Sequence, residues 1–204
     1  IQTGNIGIGR FRNDNKKYIS NKAFDELRCK EVVPGDLLIC RLADPIGRVC
    51  LVPPTSERMI TSVDVIIFKP DEKKALKTYL LYLLNSDRFL LEVNNLAAGS
   101  TRQRISRSAY GNMVIDLPPL PVQRKIAHIL STVDRQIEKT EQLIRKYEMV
   151  KEGMMQALFT RGIDVKTGKL RPTYDEAPGM YKESELGWIP KEWAISTLQS
   201  FCHI

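Results

Sequence analysis

The 204-residue sequence predicts an α+β fold, in which a mixed-sheet domain is followed by one long helix that forms a coiled coil. Residues 37–42 (LLICRL) and 62–68 (SVDVIIF) have the length and the apolar, β-branched composition of strands. Residues 74–96 change to a Leu-rich pattern with helical periodicity. Residues 121–162 carry an apolar seam in heptad spacing, which is typical of a helix that pairs with another helix.

Short elements alternate with turn signals through the first part of the chain. An Asp-Pro-Ile-Gly turn at 44–47 separates the strand at 37–42 from a second strand at 48–52. Residues 74–96 are expected to form two helices, because the Asn-Ser-Asp sequence at 85–87 interrupts the Leu-rich pattern.

The end of the first domain and the start of the long helix are marked by prolines and glycines. Gly99 ends the helical region, and residues 113–117 (MVIDL) are predicted to be a last strand. Pro121 suits the first turn of a helix, and Gly162 suits its carboxyl-terminal cap. The predicted domains are a globular domain at 1–120 that lacks its N-terminal part, a spacer helix at 121–162, a linker at 163–183 and the opening of a second globular domain at 184–204, with a strand-like run after Trp193.

The net charge of +7 lies on the first domain and the helix. Residues 1–120 contain 18 Lys and Arg against 13 Asp and Glu, and residues 121–162 contain 8 against 5. A nucleic-acid partner is consistent with this excess, and so is a surface charge that only maintains solubility.

Several classes of site are not indicated by the sequence. Its four cysteines have no CxxC spacing, and its two histidines, His128 and His203, lie far from Cys29, Cys40 and Cys50. We therefore expect reduced, packed cysteines in a cytoplasmic protein, with no metal site. No apolar run approaches the ~18 residues of a membrane span. We also find no nucleophile, acid–base or phosphate-loop constellation, and we do not predict an enzyme.

Two basic segments are candidate DNA contacts, because forked and charged donors suit guanine edges and phosphates. One segment covers residues 99–112 and the other covers residues 4–17, while two further arginines flank the 44–47 turn. Plain exposed turns are the alternative for each segment. The predicted DNA-binding residues are Arg10, Arg12, Lys16, Lys17, Arg41, Arg48, Ser100, Thr101, Arg102, Gln103, Arg104 and Arg107.

The heptad seam of the helix is the strongest single pattern. A helix of about 40 residues is ~60 Å long, which exceeds the ~30 Å width of a 120-residue domain. Most of it must therefore pair with another helix rather than lie on its own domain. The predicted pairing residues are Ile126, Leu130, Val133, Ile137, Ile144, Tyr147, Met154 and Leu158, and Thr140 and Lys151 interrupt the seam.

The Pro-rich segment at 116–121 (DLPPLP) partly matches the signature of amino-methyltransferases, whose Asp or Asn binds the target amine. Leu120 occupies the position of the aromatic residue of that signature, and no nucleotide-binding glycine loop follows an earlier strand. A rigid spacer is therefore the better interpretation.

Four stretches, in order, resemble the specificity (S) subunits of type I restriction–modification systems. They are residues 34–52 (PGDLLICRLADPIGRVCLV), 99–106 (GSTRQRIS), 115–139 (IDLPPLPVQRKIAHILSTVDRQIEK) and 183–198 (ESELGWIPKEWAISTL). The helix junction at 115–139, where a Gln shortly follows the prolines, and the GWIPKEW motif are the specific parts of this resemblance, which covers nearly the whole chain.

The resemblance implies a non-catalytic function. S subunits of this family read a bipartite double-stranded DNA target with two recognition domains, and their long helices pair antiparallel and fix the spacing. They dock modification (M) subunits, which carry the S-adenosylmethionine chemistry on adenine, and a restriction (R) subunit completes the nuclease. No cofactor is expected on this chain itself.

The chain departs from the complete family pattern because it has one long helix rather than two. It is expected to be either a piece of a longer S subunit or a half-length subunit that pairs with a second copy. The alternative from another class is a coiled-coil scaffold whose globular domain binds protein.

Overall fold

The computed structural model describes residues 1–99 and 102–200. The chain forms two compact units, Ile1–Asp134 and Arg135–Ile204. The first unit contains, in chain order, α1 (Asn21–Glu26), β1 (Glu31–Val32), β2 (Leu37–Cys40), β3 (Val49–Leu51), β4 (Met59–Ile60), β5 (Val65–Phe68), α2 (Lys77–Leu84), α3 (Asp87–Asn95), α4 (Arg107–Gly111) and the first part of α5 (Leu120–Arg161).

A three-stranded sheet of order β3-β2-β5 lies at the centre of the first unit, and β1 pairs separately with β4. Leu38 of β2 lies opposite Cys50 and Ile67 in the two neighbouring strands. The α+β class and the long helix are confirmed. All strand pairs in the described residues are antiparallel, so the predicted mixed sheet is corrected to an antiparallel one.

Strand β2 is buried on both faces, and this explains its unbroken apolar run. Leu37 and Ile39 point into a core that contains Leu80 of α2 and Val93 of α3. The intervening Leu38 packs on the other face, in a second core with Ile6, Val32 and Cys40. Helices therefore cover one face of the sheet, and the amino-terminal segment covers the other.

The predicted burial of Cys40 and Cys50 is confirmed, and both cysteines are free thiols, as is Cys29. Burial raises the pKa of the Cys50 thiol to about 12, so this thiol stays protonated at neutral pH.

The break between α2 and α3 is confirmed at the predicted position. Ser86 accepts a hydrogen bond from the Phe89 amide and caps α3. Asn85 donates to the Val49 carbonyl and accepts from the Val49 amide, at 2.8 and 2.9 Å, and so joins the helix pair to β3.

The strand predicted at 113–117 is wrong. Met113 and Ile115 pack against the helical core, while Val114 is 89% exposed. This alternation resembles that of a strand, but among the described residues the segment pairs with no strand. The Tyr79 hydroxyl donates to the Asp116 carbonyl at 3.3 Å, and prolines follow that have no N–H to donate.

Helix α5 begins at Leu120 and ends at Arg161, with Pro121 in its first turn and Gly162 following at φ +67°, as predicted. Its first turns belong to the first unit, which extends to Asp134 rather than ending at residue 120. Gln123 and Ala127 are buried there.

The side chain of Gln123 joins three separate points of the first unit. Its oxygen accepts from the Leu76 amide at 2.8 Å, and its nitrogen donates to the carbonyls of Lys74 and Pro118 at 2.9 and 2.7 Å. These bonds hold the start of α5 against the start of α2. The sequence pointed to this glutamine as a family feature, and the structure shows what it contacts.

The second unit differs from its prediction. The predicted linker at 163–183 contains β6 (Ile163–Asp164) and β7 (Lys169–Leu170), which form a hairpin, and the start of β8 (Tyr181–Ser184), which pairs with β9 (Gly187–Pro190). No strand follows Trp193 in the described residues, which end at residue 200. The alternating pattern after Trp193 therefore does not form a strand with a pairing partner among the described residues.

Aromatic contacts hold this second unit together. Trp188 stacks on Tyr174 with ring centroids 4.3 Å apart. Trp193 lies so close to Gly162 that a Cβ at this glycine would be 2.6 Å from the indole ring.

Within the described part of the chain, no helix has the length and apolarity needed to cross a membrane.

Replacing Gln123 by Leu tests its structural role. The side chains are similar in size, but the change leaves one buried amide and two carbonyls without partners, so we expect a loss of about 2–4 kcal/mol in the free energy of unfolding. Urea denaturation measures this loss, and Gln142→Leu, on an exposed position of the same helix, is the control. Equal effects of the two changes would contradict the proposed role.

Candidate nucleic-acid interface

Four segments meet at one end of the central sheet. Because β2 is antiparallel to both neighbours, its last residue lies beside the first residues of β3 and β5. The 41–48 turn and residues 63–64 are therefore adjacent, and the Arg41 amide donates to the Asp64 carbonyl at 2.9 Å. Gly9 joins the same end, since its amide donates to the Val49 carbonyl at 2.9 Å.

The basic segment after Gly99 is the fourth component. Arg104 exchanges two backbone hydrogen bonds with Ala98, at 2.9 and 3.0 Å, and forms a bridge with Leu42. The fully buried Ile105 anchors the segment in the helical core, and its amide donates to the Arg41 carbonyl at 3.1 Å. A loop held in this way presents its side chains from a fixed backbone.

Arg41, Arg104 and Arg107 form a cluster at this end of the sheet, which we call the arginine cluster. Arg104 makes an ion pair with Asp64 at 2.7 Å, and the two side chains are 43% and 18% exposed. The pKa of Arg41 is lowered, first by burial and then by the charges of Arg104 and Arg107. Arg104 and Arg41 interact with the Asp64 carboxylate, and Arg107 adds a third positive charge near Arg41, so the cluster has a local excess of positive charge that favours an anionic partner.

Arg41 mainly fixes the loop. Its Nε donates to the Ile105 carbonyl at 2.9 Å, and its Nη1 donates to the Val63 carbonyl at 3.4 Å. Arg107 is exposed at the start of the short helix α4, whose cap is Ser106. The cluster therefore contains one anchored, one paired and one exposed guanidinium.

Arg48 was predicted to contact DNA, but the structure shows that its side chain lies inside the first unit. Its side chain is only 8% exposed, and it donates to the carbonyls of Thr3, Ile6, Leu42 and Pro45 at 2.6–3.0 Å. Its donors are occupied in joining the amino-terminal turn to the 41–48 turn. It supports the interface from within and offers no surface contact.

The remaining predicted residues lie in three places. Arg10 is exposed in the turn beside β3. Arg12, Lys16 and Lys17 belong to an irregular segment, which Asn5 holds by donating from its side chain to the carbonyls of Arg12 and Asn15. Arg102 and Gln103 are exposed beside the arginine cluster, and Ser100 and Thr101 lie outside the described residues.

Lys16 and Lys17 line a cavity of about 140 Å³ rather than the sheet end. The ammonium of Lys16 makes an ion pair with Glu57 at 2.9 Å, and this contact raises the pKa of Lys16. Arg58 covers the ring of Phe24 at the same cavity, with 4.5 Å between the guanidinium carbon and the ring centroid. These two lysines therefore line a cavity that is distinct from the arginine cluster.

Two residues that organise the interface were missed in the sequence. Asp64 was visible only as a lone carboxylate in a β-branched run, and Asn5 only as part of a Gly-rich stretch. Neither had a local signal, because their partners lie far away in the chain. Among the described residues, no group of three His, Cys, Asp or Glu side chains is arranged to hold a metal ion.

The heptad seam forms an exposed apolar face on α5. Seven of the eight predicted pairing residues are 36–63% exposed, and Leu158 is half-buried. At about 100° of rotation per residue, this face lies roughly a quarter of the circumference from buried Gln123 and Ala127. The side of the helix that packs on the first unit is therefore different from the side that carries the seam.

Clustered arginines at a sheet end and an exposed apolar face on a long helix are consistent with a nucleic-acid-binding protein. Residues 3–148 match the family model described as the type I restriction modification DNA specificity domain, and these residues are more than half of the chain. The chain belongs to this family, as the sequence motifs predicted.

Curated relatives agree with this family. The putative type I restriction enzyme MjaX specificity subunit of Methanocaldococcus jannaschii is 27% identical over 184 residues, which are 89% of this chain and 40% of that protein. The MjaVIII specificity subunit of the same organism is 26% identical, over 89% of this chain and 39% of that protein. The chain thus spans about two fifths of the length of these relatives.

Solved structures confirm the fold. The HsdS subunit from Thermoanaerobacter tengcongensis aligns with a TM-score of 0.54 and 18% identity, over 84% of this chain and 44% of that one. A chain from a structure described as the structural basis of complex assembly and conformational transition of the type I restriction–modification system aligns with a TM-score of 0.51 and 21% identity, over 78% of this chain and 36% of that one.

A substitution of Arg48 tests the correction to the predicted site. We expect Arg48→Met to lower the free energy of unfolding by about 3 kcal/mol, because two buried and two partly buried carbonyls lose a charged donor. Arg107→Met, at an exposed position with the same change of charge, is expected to have an effect within about 0.5 kcal/mol. Thermal or urea denaturation compares the two, and a stable Arg48→Met variant would contradict the assignment.

Proposed function

We propose that this chain reads one half of a bipartite DNA target as the specificity component of a type I restriction–modification enzyme. The observation that carries this proposal is the arginine cluster, which lies on a rigid backbone at the sheet end of a chain in the DNA specificity family. Exposed cations held in fixed positions suit the phosphates and base edges of duplex DNA.

We infer that the long helix sets the distance between two half-sites. Its apolar face is exposed along α5 and lies apart from the side that packs on the first unit, so a second helix can cover it. That helix belongs either to a second copy of the chain or to the other half of a longer subunit. The spacing of the half-sites then follows from the length of the paired helices.

The chemistry of the complex is proposed to lie on the partner subunits. The chain docks modification subunits that bind S-adenosylmethionine and methylate adenine, and a restriction subunit completes the enzyme. This chain binds no cofactor of its own and works in the cytoplasm, where those partners and the DNA are found. Methyl transfer by the isolated chain would contradict this division.

Salt dependence tests the DNA proposal. The full chain, assembled with its modification subunits, should bind a duplex with an affinity that falls steeply with salt, by a slope of about −0.9 per phosphate contacted. Arg107→Ala should reduce this slope by about 1 and weaken binding about 5- to 10-fold for every sequence.

Arg88→Ala is the matched control for this experiment. Arg88 lies on α3 and pairs with Glu92, so the variant loses the same charge at a different place. Its binding should change much less than that of Arg107→Ala. Absence of duplex binding by the assembled complex would favour the alternative of a coiled-coil scaffold that binds protein.

Single substitutions on α5 test the helix pairing. Ile137→Asp places a charge in the apolar face and should weaken self-association or assembly at least 10-fold, since the carboxylate would have to be buried without a partner. Gln142→Asp introduces the same group on the opposite side of the helix, where we expect no effect. Sedimentation over a range of concentrations measures the assembled mass, and identical behaviour of the two variants would contradict pairing through this face.

A further inference from the structure

We propose that Arg104 reads a guanine in the major groove and that Asp64 is the positioning residue that holds it for this task. The inference rests on the proposed DNA-reading function and divides the arginine cluster by role. Arg104 recognises a base edge, Arg107 contacts phosphate, and Arg41 holds the loop.

The backbone of Arg104 is fixed on both sides. It is paired with Ala98 by two hydrogen bonds and bridged to Leu42, and the next residue, Ile105, is completely buried. Arg41 adds a further bond to the Ile105 carbonyl from its Nε. The Cα of Arg104 is therefore tied to the end of β2, and base reading requires such a fixed starting point.

The side chain of Arg104 is fixed as well. Its Nη2 lies 2.7 Å from the buried Asp64 Oδ1, an ion pair whose angles fall outside those of a hydrogen bond, and the Asp64 backbone carbonyl accepts from the Arg41 amide. A guanidinium has five N–H donors in a rigid fork, so a carboxylate at one nitrogen leaves other donors for a second partner. The side chain is 43% exposed, and the fork can therefore reach a ligand from solvent.

An arginine held in this way is better suited to a base than to a phosphate. Guanine accepts two parallel hydrogen bonds at O6 and N7, and a forked contact of this kind discriminates the correct base about 5- to 100-fold. The Asp64 carboxylate offsets the charge of Arg104 and so weakens its attraction for a phosphate, whereas two hydrogen bonds to the neutral edge of guanine depend on the geometry of the fork. A side chain that is already ordered also loses little freedom on binding.

Arg41 and Arg107 are less suited to reading bases. Two nitrogens of Arg41 are occupied by the carbonyls of Ile105 and Val63. Arg107 is exposed at the start of α4, where a long side chain can follow phosphates of any sequence. These differences assign the single base-reading role in the cluster to Arg104.

The experiment selects bound sequences from a random duplex pool with the full chain assembled with its modification subunits. Wild-type protein should enrich a motif with at least one guanine in one half-site. Arg104→Lys keeps the charge but lacks the fork, so the preference for that guanine should fall about 5-fold or more while the salt dependence changes little. Arg107→Lys should leave every base preference unchanged.

Asp64→Asn separates positioning from a plain structural role. If Asp64 orients Arg104, the variant should lose the same guanine preference and retain or increase its affinity for unrelated DNA, because one negative charge beside the arginines has been removed. Arg104→Gln, which gives up both charge and fork, should lose the preference at the same position. Should Asp64→Asn fold poorly, Arg104→Lys and Arg104→Gln still decide the assignment.

The outcomes distinguish this inference from the proposed function. If the wild type binds with a sequence motif and steep salt dependence, but Arg104→Lys retains every base preference, the base-reading role is wrong and DNA recognition stands. A motif without guanine in either half-site overturns it equally. If the wild type enriches no sequence at all, the proposed function itself fails.

Discussion

Burial of strand β2 on both faces is the constraint on which the first unit depends. Leu37 and Ile39 require the helices α2 and α3 on one side, and Leu38 and Cys40 require the amino-terminal segment on the other. Covering both faces removes the broad surfaces of the sheet from contact with partners. Only the ends and edges remain, and the turns that carry the arginines lie at one end. The location of the interface is thus a consequence of how the sheet excludes water.

Buried polar side chains connect this core to the turns at the sheet end and to the long helix. Arg48 joins two turns beneath the sheet end, Asn85 joins β3 to the helix pair, and Gln123 joins the start of α5 to the start of α2. Each satisfies several backbone groups that would otherwise be buried without partners, and this gives each a large effect on stability. The turns at the sheet end and the start of the long helix are therefore both fixed to the same core.

The positions of the charged residues are more informative about this protein than its net charge. Among the predicted cations, Arg48 is internal, Lys16 is paired with Glu57, and Arg104 is paired with Asp64. The net charge of +7 alone did not distinguish these roles. The positions of Arg41, Arg104 and Arg107 distinguish these cations from one another in a way that the net charge does not.

The sequence by itself determined the α+β class, the order of the elements, the break at residues 85–87 and both ends of α5. These depend on signals within a few residues: capping groups, prolines, glycines and periodicity. The helix seam and the family motifs were equally local. Long-range contacts decide that residues 113–117 pack against the helical core instead of forming a strand, that a hairpin lies within 163–183, that Arg48 is internal and that Asp64 pairs with Arg104. The Nε of Arg48 bonds to a residue 42 positions away, and Gln123 bonds to one 47 positions away. Contacts between such distant residues form only when the chain is folded, because no local pattern in the sequence encodes which side chain meets which backbone group.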